Sequence, residues 1–177
     1  LGNQYMPYYM GALMALLIEA GYERDTRLER AFQWLLSMRQ CDGGWIIPIQ
    51  AIPAKEKTEA LWSGDPVPPD RARPFSHLAT DMVLRAFATH PEYRKSPEVQ
   101  HAAALLKGEF FEPDAYTSYQ DARYWTRFGF WWPNLLTALE SLHLLGFTVA
   151  DPDIERGIDW FYANGIPSRG SMKAAPV

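Results

Sequence analysis

A chain of 177 residues, 47% of them hydrophobic, is long enough for one domain with a packed core. Its net charge of −4 denies it the basic footprint that nucleic-acid binding needs. Its one cysteine excludes an internal disulfide, which leads us to expect a reducing, cytoplasmic compartment.

No charged residue precedes Glu19. A secretory signal would need a basic start. A membrane span would need about 20 apolar residues in a row, and Asn3, Gln4 and Pro7 interrupt this run. A buried inner helix is the expectation for Pro7 to Ala20, with Met10, Leu13, Met14, Leu16, Leu17 and Ile18 apolar nearly all round and Gly21 as its stop. The chain begins with Leu, so an upstream segment is expected to have been removed or left out.

A second helix starts at Asp25 or Thr26, and the spacing of Thr26 and Glu29 is that of a capping box. Leu28, Phe32 and Leu35 make one apolar stripe, and Ala31, Trp34 and Met38 a second, so this helix has neighbours on more than one side. Gly43 and Gly44 end it, and Trp45 has a large ring to bury against its end. Residues 46–75 carry six prolines and no sustained period. A loop of that length is either functional or mobile, or a plain excursion between repeats.

Ser76 caps a third helix running to Thr89, with Ala79, Met82, Val83, Ala86 and Phe87 on its buried face. Ser96, Pro97 and Glu98 open a fourth, because proline suits the first helical position. Residues 108–132 hold ten of the 25 aromatic residues with little helical periodicity, which marks them as an aromatic loop. Pro133 opens a fifth helix closed by Gly146, and Asp151, Pro152 and Asp153 open a sixth.

The first and last hairpins repeat each other. Ala12 to Gly21 and Thr137 to Gly146 are apolar helices ending in glycine; an aromatic follows each, Tyr22 or Phe147. An arginine then stands four residues before a tryptophan, as Arg30 to Trp34 and Arg156 to Trp160. The middle hairpin fits the plan loosely, which makes three helical hairpins. Arg30, Ala31, Trp34, Leu35, Gly43 and Trp45 stand at the steps of the QW repeat, although its glutamine falls on Arg39, with Gln40 one place late. The pattern resembles the terpenoid cyclases and protein prenyltransferases, the α/α-toroid superfamily. The resemblance implies an all-α domain spanning residues 1–177, with inner helices lining a cavity and outer helices around them. A full ring there has about five to seven hairpins. Three would make a partial ring or arc, completed by the remainder of a longer chain or by a second copy, or left open.

The resemblance implies little about activity. The Asp-x-Asp-Asp run of protonating cyclases and the Asp-Asp-x-x-Asp magnesium motif of ionising synthases are both missing. Cys41, Asp42 and His77 invite comparison with the prenyltransferase zinc ligands, but Cys41 falls in the turn where an outer helix ends. We expect no metal and no cofactor. His77-Leu78-Ala79-Thr80 looks like the start of an inner helix in the prenyltransferase β-subunits. His77 and Asp81 lie four apart on that helix and are the candidate catalytic residues, able together to do acid–base work. The alternative is that Asp81 pairs with Arg85 on a solvated face. In the aromatic loop, Tyr124, Trp125, Trp131 and Trp132 are the candidate ligand-binding residues, because aromatic walls hold cations and isoprenoid tails; the alternative is that they fill the junction before the fifth helix. An apolar or isoprenoid small molecule is the expected ligand, and a membrane surface is a further partner to consider. Either an enzyme without its recognised acid motif or a non-catalytic binding or interaction module satisfies these features.

Overall fold

The computed structural model describes residues 4–116, 121–128 and 132–165, and every regular element among them is helical. Seven α-helices follow in order: α1 (Pro7–Leu17), α2 (Thr26–Ser37), α3 (Glu59–Ser63), α4 (His77–Thr89), α5 (Pro97–Gly108), α6 (Leu135–Leu144) and α7 (Pro152–Asn164). The expectation of an all-α domain holds.

Short polar side chains set most helix starts. Asp25, Ser76, Ser96 and Asp151 each accept a backbone N–H from the first turn that follows. Thr26 and Glu29 do not form the expected capping box. Asp25 stands one residue earlier and accepts the Arg27 N–H at 2.8 Å, while Glu29 accepts from the Tyr93 hydroxyl at 2.7 Å. A true capping box occurs at α6 instead, where Asn134 and Thr137 satisfy each other's backbone N–H groups. Pro133 therefore precedes that helix and does not open it.

Three helices form a front row, with α4 between α1 and α6. They run parallel: Gly11 in α1 lies beside Met82 and Val83, and Thr137 in α6 meets Asp81. A Cβ on Gly11 would sit 2.4 Å from the Met82 carbonyl oxygen, so the α1–α4 approach requires glycine. The remaining long helices stand behind. α2 pairs with α1, α5 with α4, and α7 with α6, which realises the three expected hairpins. Phe32 of α2 meets Phe87 of α4 at 5.0 Å between ring centres, so the core lies between the rows.

The turn after α2 is a lock. Gly43 takes a φ of +108°, a conformation that favours glycine. Trp45 is then fully buried, donates its indole N–H to the Leu35 carbonyl at 2.7 Å and stacks near Phe87. The proline-rich stretch is fastened more firmly than its composition suggests. Gln4 donates to Leu61 and accepts from Val67, and Gln40 donates to the Asp70 and Arg73 carbonyls. Gln40, displaced by one place from the repeat pattern, thus ties the turn to the loop.

A further expectation fails. α1 is not buried all round: Tyr8, Gly11, Met14 and Ala15 face the core, while Leu13, Leu16 and Leu17 are 58%, 63% and 43% exposed. Among the described residues, α4 covers one flank of it and α2 its back. On the other flank, Met10, Leu13, Leu17 and Leu28 line an open apolar groove of about 560 Å³. No helix among the described residues is long and apolar enough to cross a membrane.

Candidate functional site

α4 carries the chemistry. It is packed on three sides, and of its thirteen residues only Arg85 and Thr89 are not buried. Arg85 lies ~200° round the helix from Phe87, which points into the core. Arg85 therefore faces forward, away from the back row.

His77 and Asp81, the two candidate catalytic residues, are both buried, but the structure gives them separate surroundings. The His77 ring packs on Trp125 at 4.5 Å between centres, and its Nδ1 lies 3.6 Å from the Asp114 carboxylate. Burial holds the imidazole below its ordinary pKa, and Asp114 offsets this in part. His77 lines a cavity of about 150 Å³ with Phe75 and Glu109.

Asp114 was not expected. It is buried, and it accepts from the Ser76 hydroxyl at 2.7 Å, the Leu78 N–H at 3.1 Å and the Tyr116 N–H at 2.8 Å. It thereby caps the N-terminus of α4, where a helix favours negative charge. Nothing local in the sequence announces this, because Asp114 arrives from the aromatic loop, well over thirty residues after Ser76.

Asp81 is wholly buried. Its Oδ2 accepts from the Thr137 hydroxyl at 2.9 Å and lies 3.4 Å from the Arg85 guanidinium. The Asp81–Arg85 pair forms, yet on a buried seam between α4 and α6 and not on a solvated face. Among the described residues its Oδ1 has no hydrogen-bond partner. Burial raises the carboxyl above the usual range, against the pull of Arg85 and Thr137. Asp114 and Asp81 make a contrast: the first is a fully satisfied structural carboxylate, the second an incompletely satisfied one.

The aromatic candidates divide. Trp125 is a core residue: it is 2% exposed, packs edge-on to Phe110 and donates its indole N–H to Glu112 at 2.9 Å. Tyr124 is half-buried under the Arg127 guanidinium, 4.7 Å away. Trp132 is half-buried and parallel to Tyr8, with ring centres 6.5 Å apart, at the N-terminal end of the front row. Trp131 lies outside the described residues. Cys41, Asp42 and His77 do not converge: Asp42 caps the Gly44 and Phe75 N–H groups, and Cys41 is exposed.

The front face itself was missed by sequence reasoning. Between α1, α4 and α6 runs a groove of about 280 Å³, lined by Ala12, Leu16 and Glu19, by Arg85 and Thr89, and by Glu140, Ser141 and Leu144. Leu136, one turn before Glu140, continues the α6 stripe and is 55% exposed. The i, i+4 spacing of Leu136, Glu140 and Leu144 was legible, but not which face of the helix it would occupy. No protein-family model matches the chain, no curated protein matches it, and no solved structure matches it.

Proposed function

We propose that this chain is an α/α-toroid segment of the terpenoid cyclase and prenyltransferase type whose front face holds an isoprenoid or other apolar ligand. One observation carries the reading: Leu16, Leu136 and Leu144 stand 63%, 55% and 42% exposed on the same face of the helix row. Isolated exposed leucines need no explanation, but exposed leucines gathered on one face of a helix row point to an interaction site. The open groove beside α1 fits a further hairpin, from a longer chain or a second copy, in continuation of the row. An exposed free Cys41 fits a reducing compartment such as the cytoplasm.

Equilibrium dialysis against geraniol tests the ligand. We expect Leu16→Ser combined with Leu136→Ser and Leu144→Ser to lower geraniol binding with no loss of thermal stability, since the three side chains already face solvent. Unchanged binding removes the front face from the site.

A second reading is a binding module without catalysis. It is favoured by the separation of His77 from Asp81, which leaves no acid–base pair joining them. In the enzymatic version, Asp81, raised by burial, acts as the proton donor, and His77 with Asp114 as an independent base. Asp81→Asn would then abolish turnover of a polyprenyl substrate while sparing binding; in the binding-module version it changes neither.

A further inference from the structure

The front groove has a sign as well as an apolar wall. Leu16, Thr89 and Leu144 are each at or next to the last residue of α1, α4 and α6. The three helices run parallel; α4 and α6 end at the groove, while α1 runs on through the helical turn Ile18–Tyr22, so two C-terminal ends lie there, with the partial negative charge that helix C-termini carry. α4 has no basic residue in its last turn to neutralise that charge. Glu19 enters the groove from α1's extension and Glu140 from α6, and neither forms an ion pair among the described residues. Arg85 is the groove's cation, but its guanidinium is already drawn to buried Asp81. The charge left facing the groove is that of two carboxylates.

We propose that this groove selects an amphiphilic organic cation, with a protonated amine head between Glu19 and Glu140 and an apolar body along Leu16 and Leu144. The inference rests on the front-face reading and adds the ligand's charge to it. A carboxylate or phosphate head is disfavoured, because it would face both glutamates and the C-terminal ends of α4 and α6 with one arginine already engaged.

Three ligands with one tail and different heads separate the possibilities: geranylamine, geraniol and geranic acid, each measured by equilibrium dialysis against the whole chain at low salt. The expected order is geranylamine tightest, by about fivefold over geraniol, with geranic acid weakest, as two solvent-accessible charge contacts predict. The double variant Glu19→Gln/Glu140→Gln should bring geranylamine down to the level of geraniol and leave geraniol unchanged. Raising the salt to about 0.5 M should do the same to the unmodified chain. Both glutamates are exposed, so an unchanged melting temperature shows that the variant is folded. Equal binding of amine and alcohol overturns the charge selection but keeps the apolar front face. Preference for geranic acid overturns it and gives the site to Arg85. No binding by any of the three sinks the front-face reading, and this inference with it.

Discussion

Thr137→Val tests whether the seam between α4 and α6 is held as described. The substitution replaces a hydroxyl by a methyl of similar size, so it opens no cavity. The Thr137 Oγ1 has one proton and two acceptors in reach, Asp81 Oδ2 at 2.9 Å and the Asn134 carbonyl at 3.0 Å, and it accepts the Asn134 N–H at 3.0 Å. The ionised carboxylate is the stronger acceptor and takes the proton. Valine removes both bonds. Losing half of a capping box costs about 0.5–2 kcal/mol. Losing a hydrogen bond to a buried charged group costs about 1.5–3 kcal/mol. We therefore expect a loss of about 2–5 kcal/mol in urea denaturation, or roughly 4–20 °C in melting temperature for a chain of this size. The sign of its pH dependence is set by Asp81, whose carboxyl is raised in the folded state. Above that raised value the carboxylate is charged and the deficit is full. As pH falls through it toward the ordinary carboxylate range, near about 4, Asp81 takes up a proton, and the part of the deficit due to the charged bond disappears. Thr137→Ser, which keeps the hydroxyl, should lie within about 1 kcal/mol of the unmodified chain. A valine variant as stable as the serine one at the alkaline end of the titration, where the carboxylate is charged, would refute the seam.

Two further outcomes follow from the same geometry. Asp81→Asn should raise stability at neutral pH by about 1 kcal/mol or more, because burial opposes the ionised form and Arg85 remains part-exposed. Its advantage should shrink as pH falls from the raised folded value toward the unfolded one; pH-dependent urea titration reads this, and an advantage that grows on acidification contradicts it. Trp45→Phe loses the bond to Leu35 and leaves space beside Phe87, for an expected cost of about 2–3 kcal/mol in equilibrium denaturation. A cost below about 0.5 kcal/mol would mean that the glycine turn holds without its lock.

How much could be read in advance depended on range along the chain. Ser76, Ser96 and Asp151 announce helix starts because a cap acts within three residues. The Trp45 lock was legible for the same reason: Leu35, the glycines and the indole lie within ten residues of each other. The burial of α1 was misread because hydrophobicity says that a side chain suits an interior, not that a neighbour is present to make one. His77 and Asp81 were joined by the i, i+4 rule, which places them on adjacent faces but cannot see what arrives between. Asp114 comes from the aromatic loop to claim the first, and Thr137 from α6 to claim the second. Trp125 looked like a ligand wall and is instead the floor under His77, because its indole N–H finds Glu112 within the same loop.

The front and back of the molecule obey different rules. Behind α4, the core aromatics are buried against one another, Phe32 on Phe87 and Trp45 on Phe87. In front, two departures from ordinary folding chemistry fall in one place: leucines left in solvent on α1 and α6, and a carboxylate buried between α4 and α6 with one oxygen unsatisfied. A leucine at position 81 would pack against Thr137 without a desolvation cost, and a glutamate at 16 or 144 would be at home in water. Stability alone accounts for neither residue. Local violations that cluster are the mark of a surface shaped by what it holds. Arg85, the one long side chain reaching from buried α4 to that surface, links the two departures, since its partner is the buried carboxylate and its neighbours are the exposed leucines.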